Sequence, residues 1–599
     1  MTAALVGEWS RLLTASLVQA GLKHAVICPG SRSTPFAWAL AECADLTCHT
    51  LVDERDAAFF ALGLARVTGE PALVLSTSGS AAANFFPAIV EASLARLPLL
   101  VLTADRPLEL QAADAAQTLD QVKLYGDHVR AFFDLGTPDA SPTALAGVQR
   151  LATQALVTAR FPEPGPVHVN ARARKPLEPG PAETASERAL VGLVSGLIAR
   201  GVTAVATPER VPAHDGIERL AQGLRSAKRG LVVCGPLAAY RQRDARAVRA
   251  LARRLGMPLF AEATSGLRFD DEREPGADAV GWLLRSAALR SALAPDCILR
   301  FGAPLTSGGL EALLGEQPAA TLHVVAEHGH PDALARARTL TLGPTERVAL
   351  ALSEAFDRHE PGAEQRAFTA SVARANDAAW QAVTRVTTAS APLGEPEAVR
   401  LAVEAVPQGG LLVVGNSLPV RSLDDFVPAG ARALVVASQR GANGIDGLVS
   451  GAAGSALAQG GPALLLLGDV SFEHDLGGLA AARLVRTPLA IVVIDNEGGR
   501  IFEQLPVAKL WEKAPERAEL WLTPPQLEFE HAAALFGLPF AAPGGAAELR
   551  SALGRAFEHP GATLIHVRVP AHSARDALRG LTAELERTLP ALLTGALRP

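Results

Sequence analysis

Short apolar runs that end in glycine, serine or aspartate recur along the chain, each followed by an alanine- and leucine-rich stretch with helical spacing. The clearest runs are His24–Cys28, Ala72–Ser76, Leu99–Thr103, Gly230–Cys234, Leu411–Val414, Ala463–Leu467 and Leu489–Ile494. Apolar runs without alternation are typical of parallel strands that are buried on both faces. The pattern therefore predicts an α/β protein with parallel sheets flanked by helices, and ligands at the carboxyl ends of the strands.

Two polar stretches divide the chain into three segments. Residues 175–188 are rich in proline, glycine and small polar side chains, and residues 357–365 are charged and interrupted by Pro361-Gly362. Both compositions are typical of linkers. We therefore predict three consecutive α/β domains, at residues 1–180, 190–356 and 366–599.

Composition narrows the class of protein. Hydrophobic residues make up 49% of the 599 positions and the formal net charge is −6, which argues against disorder and against nucleic acid as a partner. The 5 cysteines lack CxxC spacing and indicate neither a zinc site nor a disulfide framework. Glu8 and Arg11 interrupt the apolar N-terminus, and no apolar run approaches the length of a membrane span. We expect a cytoplasmic protein that does not bind a membrane.

Two of the apolar runs lead into loops that suit a diphosphate. Gly-Asp-Val-Ser follows at 468–471, and Asp-Asn-Glu-Gly follows at 495–498. Asp469, Asn496 and the carbonyl oxygen of Gly498 are hard ligands of the kind that Mg²⁺ prefers alongside phosphate oxygens. A helix after Ser471 would direct free N–H groups at the same anion. A Gly-Asp pair alone is often an ordinary turn, but the second loop strengthens the prediction of a magnesium-bridged diphosphate.

The two loops resemble the signature of thiamin-diphosphate enzymes, which usually starts with Gly-Asp-Gly and ends with Asn-Asn. Val470 and Asp495 depart from that pattern, whereas the ligand positions Asp469 and Asn496 match it. The resemblance implies thiamin diphosphate with Mg²⁺ or Mn²⁺, since the same oxygens accept both ions. It also implies a pyrimidine-binding fold in the first domain and a pyrophosphate-binding fold in the third.

The pyrimidine end of such a cofactor needs a carboxylate. Glu54 follows a strand-like stretch and precedes an alanine-rich helix, although an acidic residue there is also favoured by the helix dipole. The resemblance assigns Glu54 to the aminopyrimidine ring and the loop at Ser78 to the same domain. The cofactor-binding candidates are Glu54, Ser78, Gly468, Asp469, Val470, Ser471, Asn496 and Gly498, with Asp469, Asn496 and Gly498 as metal ligands.

Polar residues after other strands indicate the type of substrate. They are Ser31, Arg32, Arg106, Gln117, Asn416, Ser417, Arg421 and Arg440. Guanidinium groups bind carboxylates through two parallel hydrogen bonds, so arginines at the mouths of α/β sheets suit substrates with several carboxylates.

The loops Pro29–Thr34 and Arg440–Gly447, together with Gly498–Phe502, closely resemble the 2-succinyl-5-enolpyruvyl-6-hydroxy-3-cyclohexene-1-carboxylate synthases of menaquinone biosynthesis. The resemblance covers the first and third segments well and the central one loosely. It implies a transferase that decarboxylates 2-oxoglutarate and adds the resulting succinyl carbanion equivalent to isochorismate. It also implies at least a homodimer, or a tetramer, with active sites at the subunit interface.

The same resemblance assigns roles to the candidate residues. The donor-derived carboxylate would be held by Asn416, Ser417, Arg421 and Arg440. Isochorismate would be faced by Ser31, Arg32, Arg106 and Gln117. The catalytic residues would be Glu54 and Ile445, the latter as a wedge that bends the cofactor, with Ile501 and Phe502 as an apolar wall against water.

One loop departs from the family. Some members offer a Lys-Arg pair from the central domain to the acceptor, where this chain has Gly308-Gly309, and Arg268 is a candidate substitute. Two alternatives stay open: another thiamin-diphosphate decarboxylase or carboligase such as acetolactate synthase, and a non-catalytic binding or regulatory protein of the same fold. A nicotinamide enzyme is disfavoured because no GxGxxG motif follows the first strand.

Overall fold

The computed structural model describes residues 2–269, 278–388, 391–430, 432–511 and 513–594. The described residues form three sheets in which every pair of neighbouring strands is parallel, and helices flank each sheet. Each apolar run named above forms a strand, with small differences at the ends. The predicted fold class is confirmed.

The first sheet and its helices occupy the N-terminal part of the chain. Its strands are β1 (His24–Ile27), β2 (Thr47–Thr50), β3 (Ala72–Ser76), β4 (Leu99–Asp105), β5 (Ala131–Asp134) and β6 (Pro166–Arg172). The helices are α1 (Ala3–Gln19), α2 (Thr34–Glu42), α3 (Glu54–Thr68), α4 (Ser80–Asn84), α5 (Phe86–Ala95), α6 (Pro142–Arg160) and α7 (Ala185–Arg200).

The second sheet has the order β11-β10-β9-β7-β8. Its strands are β7 (Gly230–Cys234), β8 (Leu259–Ala261), β9 (Cys297–Phe301), β10 (Thr321–Ala326) and β11 (Ala337–Leu342). The helices in this part of the chain are α8 (His214–Arg225), α9 (Arg246–Leu255), α10 (Val280–Leu283), α11 (Ala287–Leu293), α12 (Gly309–Glu316), α13 (Thr345–Ala355) and α14 (Ala363–Val386).

The third sheet lies in the C-terminal part of the chain. Its strands are β12 (Leu411–Val414), β13 (Val435–Ser438), β14 (Ala463–Gly468), β15 (Leu489–Asp495), β16 (Phe540–Ala541) and β17 (Ala562–Arg568). The helices are α15 (Glu395–Ala405), α16 (Leu418–Phe426), α17 (Leu448–Gln459), α18 (Asp469–His474), α19 (Leu479–Ala482), α20 (Ala508–Trp511), α21 (Glu519–Leu522), α22 (Phe529–Leu535), α23 (Ala546–Glu558) and α24 (Ser573–Thr594).

The first and third sheets are wound in the same way. Their orders are β2-β1-β3-β4-β6-β5 and β13-β12-β14-β15-β17-β16, so corresponding strands occupy corresponding places. In each sheet the winding direction reverses between the first and third strands in chain order, which is where ligands bind in open α/β sheets. The loops after β1, β3, β12 and β14 are therefore the places where the topology favours a binding site.

The chain divides into two compact units, each made of several segments of the sequence. The first unit comprises Met1–Pro208, Gln439–Gly460 and His474–Arg486. The second unit comprises Glu209–Ser438, Gly461–Glu473 and Thr487–Pro599. Within the second unit, α14 and α24 pack side chains against the central sheet, where Phe368 and Leu585 share an apolar core with Val233.

Both predicted linkers run into helices. The side-chain oxygen of Thr184 accepts a hydrogen bond from Glu187 N at 3.2 Å, and Glu187 Oε2 accepts one from Thr184 N at 2.9 Å. This capping box starts α7 inside the stretch that was predicted to be irregular. The second linker is likewise shorter than predicted, because α14 begins at Ala363.

Within the first unit, α3 and α17 cross at a distance that only glycine permits. A Cβ atom added to Gly63 would lie 2.1 Å from Gly451 O, and one added to Gly454 would lie 2.1 Å from Phe60 O. Both distances are far below any contact that a real Cβ makes. The two helices are therefore held backbone against backbone.

We expect Gly63→Ala to lower the free energy of unfolding by about 1–3 kcal/mol, because the new methyl group forces the helices apart. Gly192→Ala is the matched control, since Gly192 lies on exposed α7 and an added Cβ meets nothing within 4 Å. That control should stabilise the protein by about 0.5–1 kcal/mol through helix propensity. Denaturant unfolding followed by circular dichroism measures both, and equal stability of the two variants would contradict the close crossing.

Candidate functional site

Glu54 is the first residue of α3 in the first unit. Asp53 caps this helix by accepting hydrogen bonds from Arg55 N at 2.9 Å and Asp56 N at 3.3 Å, which fixes where the helix begins. Asn84 Nδ2, at the end of α4, donates to Glu54 Oε2 at 3.2 Å. The half-buried carboxylate of Glu54 is thus oriented while retaining an oxygen for another partner.

The loops after β1 and β3 touch each other, as the switch point predicts. Arg32 N donates to Thr77 Oγ1 at 3.2 Å, and a Cβ at Gly30 would lie 2.3 Å from the Thr77 side chain. Gln117 Nε2 donates to Ser78 O at 3.1 Å. The structure therefore brings Arg32, Ser78 and Gln117 together, whereas Ser31 lies exposed at the edge of the same loop.

Two like charges, Arg32 and Arg106, face the same region of the first unit. Arg32 is buried, and its pKa is lowered by that burial and by the nearby cation of Arg106. Among the described residues, the Nε atoms of both arginines are buried without a hydrogen-bond acceptor. Asp105 acts on Arg32 as a nearby anion but is itself paired with Arg172 at 2.9 Å. A carboxylate ligand would offset the repulsion between the two cations, so the arrangement suits such a ligand.

The loop that carries Arg440 and Ile445 lies between β13 and α17 and is fixed by Glu91 of α5. The carboxylate of Glu91 accepts hydrogen bonds from Gly441 N at 3.0 Å and Ala442 N at 2.6 Å, and its Oε1 lies 3.6 Å from Arg66 Nη2. Glu91 is buried. It therefore positions the backbone next to Arg440, while Ile445 remains half-buried in the loop.

A buried carboxylate pair anchors the start of α17. Asp475 Oδ2 accepts hydrogen bonds from Val449 N at 2.7 Å and Ser450 N at 2.9 Å, which caps this helix. Burial and the neighbouring Asp475 raise the pKa of Asp56 to about 8. Asp56 therefore holds its proton more tightly than an exposed carboxyl group does, and Arg55 Nη2 lies 3.8 Å from an oxygen of each of the two side chains.

In the second unit, the loops after β14 and β15 meet through a hydrogen bond. Gly498 N donates to Asp469 Oδ2 at 2.6 Å, and Val470 N donates to Asp469 Oδ1 at 2.8 Å. The helix that was expected after Ser471 already starts at Asp469, as α18. A Cβ at Gly468 would meet nothing within 4 Å, so the end of β14 is open to an approaching group.

Burial raises the pKa of Asp469 to about 6. A carboxyl group that is costly to ionise gains from a cation beside it. The described residues contain no cluster of three or more histidine, cysteine, aspartate or glutamate side chains that could hold a metal. The predicted set has one carboxylate, one amide and one carbonyl oxygen. It therefore fits an ion whose remaining ligands come from phosphate.

The amide of Asn496 is oriented by Glu395 of α15. Asn496 Nδ2 donates to Glu395 Oε2 at 2.9 Å, and Ser422 Oγ donates to Glu395 Oε1 at 2.9 Å. All three side chains are buried. Because the amide nitrogen is taken by Glu395, the oxygen of Asn496 points to the other side and is left for a metal.

The loop after β12 places Asn416, Ser417 and Arg421 at the start of α16. Ser417 has a φ of 70°, a left-handed conformation that is unusual for a residue other than glycine and typical of functional sites. Arg421 Nη1 donates to Ser417 O at 2.8 Å. Burial lowers the pKa of Arg421, so its charge lies in a partly desolvated place.

Ile501 and Phe502 lie on a short 3₁₀ turn, Arg500–Gln504, in the second unit. Both side chains are half-buried. A Cβ at Gly499 would lie 3.1 Å from the Phe502 ring, so the glycine leaves room for that ring. Ile445 belongs to the first unit and Ile501 to the second.

Sequence comparison connects this geometry to known proteins. The 2-succinyl-5-enolpyruvyl-6-hydroxy-3-cyclohexene-1-carboxylate synthase of Sorangium cellulosum is 45% identical over 98% of this chain and 97% of its own length. The synthase of the same name from Myxococcus xanthus is 39% identical over 97% of each chain. The chain belongs to the family of these synthases.

Family models and solved structures agree with this assignment. The N-terminal TPP binding domain of thiamine pyrophosphate enzymes matches residues 8–124, and the C-terminal TPP binding domain matches residues 438–567. Benzoylformate decarboxylase from Polynucleobacter necessarius has the same fold, with a TM-score of 0.69 and 18% identity over 94% of this chain and 98% of that chain. This member of the synthase family is thus a thiamin-diphosphate-dependent enzyme, and the alternative of a non-catalytic or different carboligase is disfavoured.

Arg268, the candidate substitute for the family's Lys-Arg pair, has a structural role instead. Its side chain is only 1% exposed, and its Nη1 lies 2.7 Å from Asp424 Oδ1. Its guanidinium also lies over the Trp380 ring at 5.4 Å. The suggestion was wrong, because the Arg268 charge is buried and already paired.

Three carboxylates that position the candidate residues were not predicted from the sequence: Glu91, Glu395 and Asp475. Each is a buried carboxylate that accepts hydrogen bonds from a candidate loop or its neighbouring helix. Glu395 follows Gly394 and precedes Pro396, so its place in the sequence indicates only a helix start. Glu91 and Gly441 are 350 residues apart in the sequence, and Glu395 and Asn496 are 101 residues apart. A local sequence pattern does not reveal pairs at such separations.

No helix in the described parts of the chain combines the length and apolarity required to cross a membrane.

We expect Glu395→Ala to weaken binding of Mg²⁺ and thiamin diphosphate by about 10- to 100-fold, because Asn496 loses the acceptor that orients it. Glu395→Gln is the matched variant: its amide oxygen still accepts from Asn496, so binding should stay near the wild-type value. Isothermal titration calorimetry with both components measures the affinities. Equal affinity of the alanine variant and the wild type would show that Glu395 does not position Asn496.

Proposed function

We propose that the chain decarboxylates 2-oxoglutarate and adds the resulting succinyl carbanion equivalent to isochorismate by conjugate addition, giving 2-succinyl-5-enolpyruvyl-6-hydroxy-3-cyclohexene-1-carboxylate for menaquinone biosynthesis. The observation that carries this proposal is the pair Arg32 and Arg106, whose buried Nε atoms have no acceptor among the described residues. Such a pair suits an acceptor that carries carboxylates. The names of the relatives support the same reaction.

Thiamin diphosphate supplies the electron sink that makes loss of CO₂ from a 2-oxo acid possible. Asp469, the oxygen of Asn496 and the carbonyl oxygen of Gly498 would hold Mg²⁺ or Mn²⁺ against the diphosphate. Gly468, Val470 and Ser471 would line the diphosphate, since the end of β14 is open there.

Glu54 would hold a proton at the pyrimidine end of the cofactor. Asn84 donates to its Oε2, so Oε1 is the carboxyl oxygen left for the cofactor. From there Glu54 would hold or release a proton in the manner of general acid–base catalysis. Ser78 would contact the same end of the cofactor, and Ile445 would set the cofactor's bend.

The two substrates would be bound by different sets of polar residues. Isochorismate would be faced by Arg32, Arg106, Gln117 and Ser31. The carboxylate derived from 2-oxoglutarate would be held by Asn416, Ser417, Arg421 and Arg440. Ile501 and Phe502 would exclude water from the reacting carbon, which otherwise takes up a proton before the acceptor arrives.

A homodimer or tetramer with shared active sites completes the proposal. Val52, two residues before Glu54, is an apolar side chain that is 80% exposed, which suits a surface covered by a second subunit. All five cysteines lie in described positions as unpaired thiols, and we infer a reducing, cytoplasmic location from this.

The deciding experiment is consumption of isochorismate by purified protein with thiamin diphosphate, Mg²⁺ and 2-oxoglutarate, each omitted in turn. We expect isochorismate to disappear only when all components are present, with a succinylated product in the mass spectrum. Release of CO₂ from 2-oxoglutarate without loss of isochorismate would instead indicate another decarboxylase or carboligase.

We expect Glu54→Gln to bind thiamin diphosphate nearly as well as the wild type but to lose at least about 100-fold in kcat, because general acid–base groups contribute about 10²–10⁴-fold. Asp469→Ala is the contrasting variant and should lose binding of the cofactor itself. Calorimetry measures binding, and the isochorismate assay measures turnover. Wild-type kcat in the glutamine variant would remove Glu54 from the mechanism.

A further inference from the structure

The second unit contains a cavity of about 380 Å³ that joins the donor candidate Arg421 to the loop that carries the two glycines. Its wall includes Arg285, Ser307, Gly308 and Gln504 in addition to Arg421. None of these residues except Arg421 belongs to the site described above. The cavity is large enough for one end of a small dicarboxylic acid.

Most charges that face the cavity are balanced by partners. Asp424 Oδ1 lies 2.7 Å from Arg268 Nη1, Arg290 Nη2 lies 2.5 Å from Glu316 Oε1, and Asp425 Oδ1 lies 2.5 Å from Arg285 Nη2. Arg421, in contrast, has no carboxylate within ion-pair distance among the described residues, and the acidic side chains of the wall act on it only from further away. Arg421 therefore retains donors for a ligand in the cavity.

Glu262 does not neutralise the charge of Arg421. Its carboxyl oxygens accept hydrogen bonds from Thr306 N at 2.7 and 2.9 Å. Burial, together with nearby Asp424, raises the pKa of Glu262 to about 8, which weakens this side chain as a counter-charge to Arg421. The cavity thus favours an anionic ligand.

Three buried donors in the wall have no acceptor among the described residues. They are Arg285 Nε, Thr306 Oγ1 and Ser307 Oγ. Buried polar groups in proteins are nearly always hydrogen-bonded, so donors without acceptors in a cavity wall indicate where ligand oxygens bind. All three belong to the wall that also contains Arg421.

Arg285 is held in place independently of any ligand. Its guanidinium lies over the Trp282 ring at 4.6 Å, and Trp282 Nε1 donates to the backbone oxygen of Asp425 at 2.7 Å. The ion pair with Asp425 uses one Nη atom only. A planar guanidinium fixed in this way presents its remaining donors in a set direction.

The glycines at 308 and 309 differ in what surrounds them. A Cβ at Gly308 meets nothing within 4 Å, whereas a Cβ at Gly309 would lie 2.7 Å from the Leu284 side chain. Gly308 therefore faces the open cavity, with room for a longer side chain. A cationic side chain introduced at position 308 would therefore have space beside the cavity.

We propose that Arg285, together with Ser307, completes the subsite in which Arg421 binds the distal carboxylate of the donor 2-oxo acid. This rests on the proposed function, because it takes 2-oxoglutarate as the donor. The carboxylate next to the ketone has to leave as CO₂, and two guanidinium groups bound to it would oppose that loss. The distal carboxylate stays on the substrate throughout the reaction, so it is the group that the two arginines would bind. Arg285 is therefore a specificity-determining residue that selects a dicarboxylic donor.

Arg285→Gln tests this assignment, because glutamine removes the charge of the side chain and keeps it polar. We expect kcat/KM for 2-oxoglutarate to fall by about 10- to 100-fold, mainly through KM, as loss of a charged hydrogen bond predicts. The value for 2-oxopentanoate, in which a methyl group replaces the distal carboxylate, should not change. Release of labelled CO₂ from each 2-oxo acid, at saturating cofactor, measures both.

Two further variants complete the design. Arg358→Gln removes an exposed arginine elsewhere in the second unit and should leave both donors unaffected. Gly308→Lys in the Arg285→Gln background places a new cation in the open space of the cavity and should restore part of the lost preference for 2-oxoglutarate. If Arg285 only stabilises the fold, a lysine at position 308 should not restore the preference for 2-oxoglutarate, because it lies on a different element of the chain.

The possible outcomes distinguish a failure of the proposed function from a failure of the Arg285 assignment. If the wild-type enzyme releases no CO₂ from 2-oxoglutarate, the proposed function itself is refuted. If the wild type is active but Arg285→Gln affects 2-oxoglutarate and 2-oxopentanoate equally, Arg285 is structural and this assignment is wrong. A rise in the KM for isochorismate alone would also overturn it, because the cavity would then serve the acceptor.

Discussion

The close crossing of α3 and α17 is the constraint on which the geometry of the first unit depends. Gly63, Gly451 and Gly454 bring the two backbones into direct contact, and no side chain separates them. Glu54 begins one helix, and the loop that carries Arg440 and Ile445 leads into the other. A small change in the distance between the helices would therefore move the carboxylate and the loop relative to each other.

Buried carboxylates fix candidate residues in each unit. Glu91 holds the loop before α17, Asp475 caps that helix, and Glu395 orients Asn496 in the second unit. Each accepts hydrogen bonds from backbone or amide N–H groups, which compensates part of the cost of burying a carboxyl group. The site residues are thus fixed by a layer of acidic side chains that do not themselves face a ligand.

The sequence predicted the strands and the loops at their ends because both follow from local pattern. Buried parallel strands are continuous apolar runs, and the switch points of the two like-wound sheets fall after strands that the pattern located. The supports Glu91 and Glu395 were not predictable, since their partners are distant in sequence. Arg285 was missed for the same reason, as only the folded chain brings it into one cavity with Arg421. The capping box at Thr184 is visible in the sequence, but its residues were assigned to a linker.

The backbone conformation of Ser417 lowers the stability of the folded protein. A residue other than glycine at a φ of 70° is strained, by about 1–3 kcal/mol, and the rest of the fold has to offset that strain. The strained peptide directs its carbonyl oxygen to Arg421, which limits the freedom of the guanidinium before any ligand binds. Thermal stability and substrate affinity are therefore opposed at this residue, and selection for a more heat-resistant enzyme would act against the preorganised donor site.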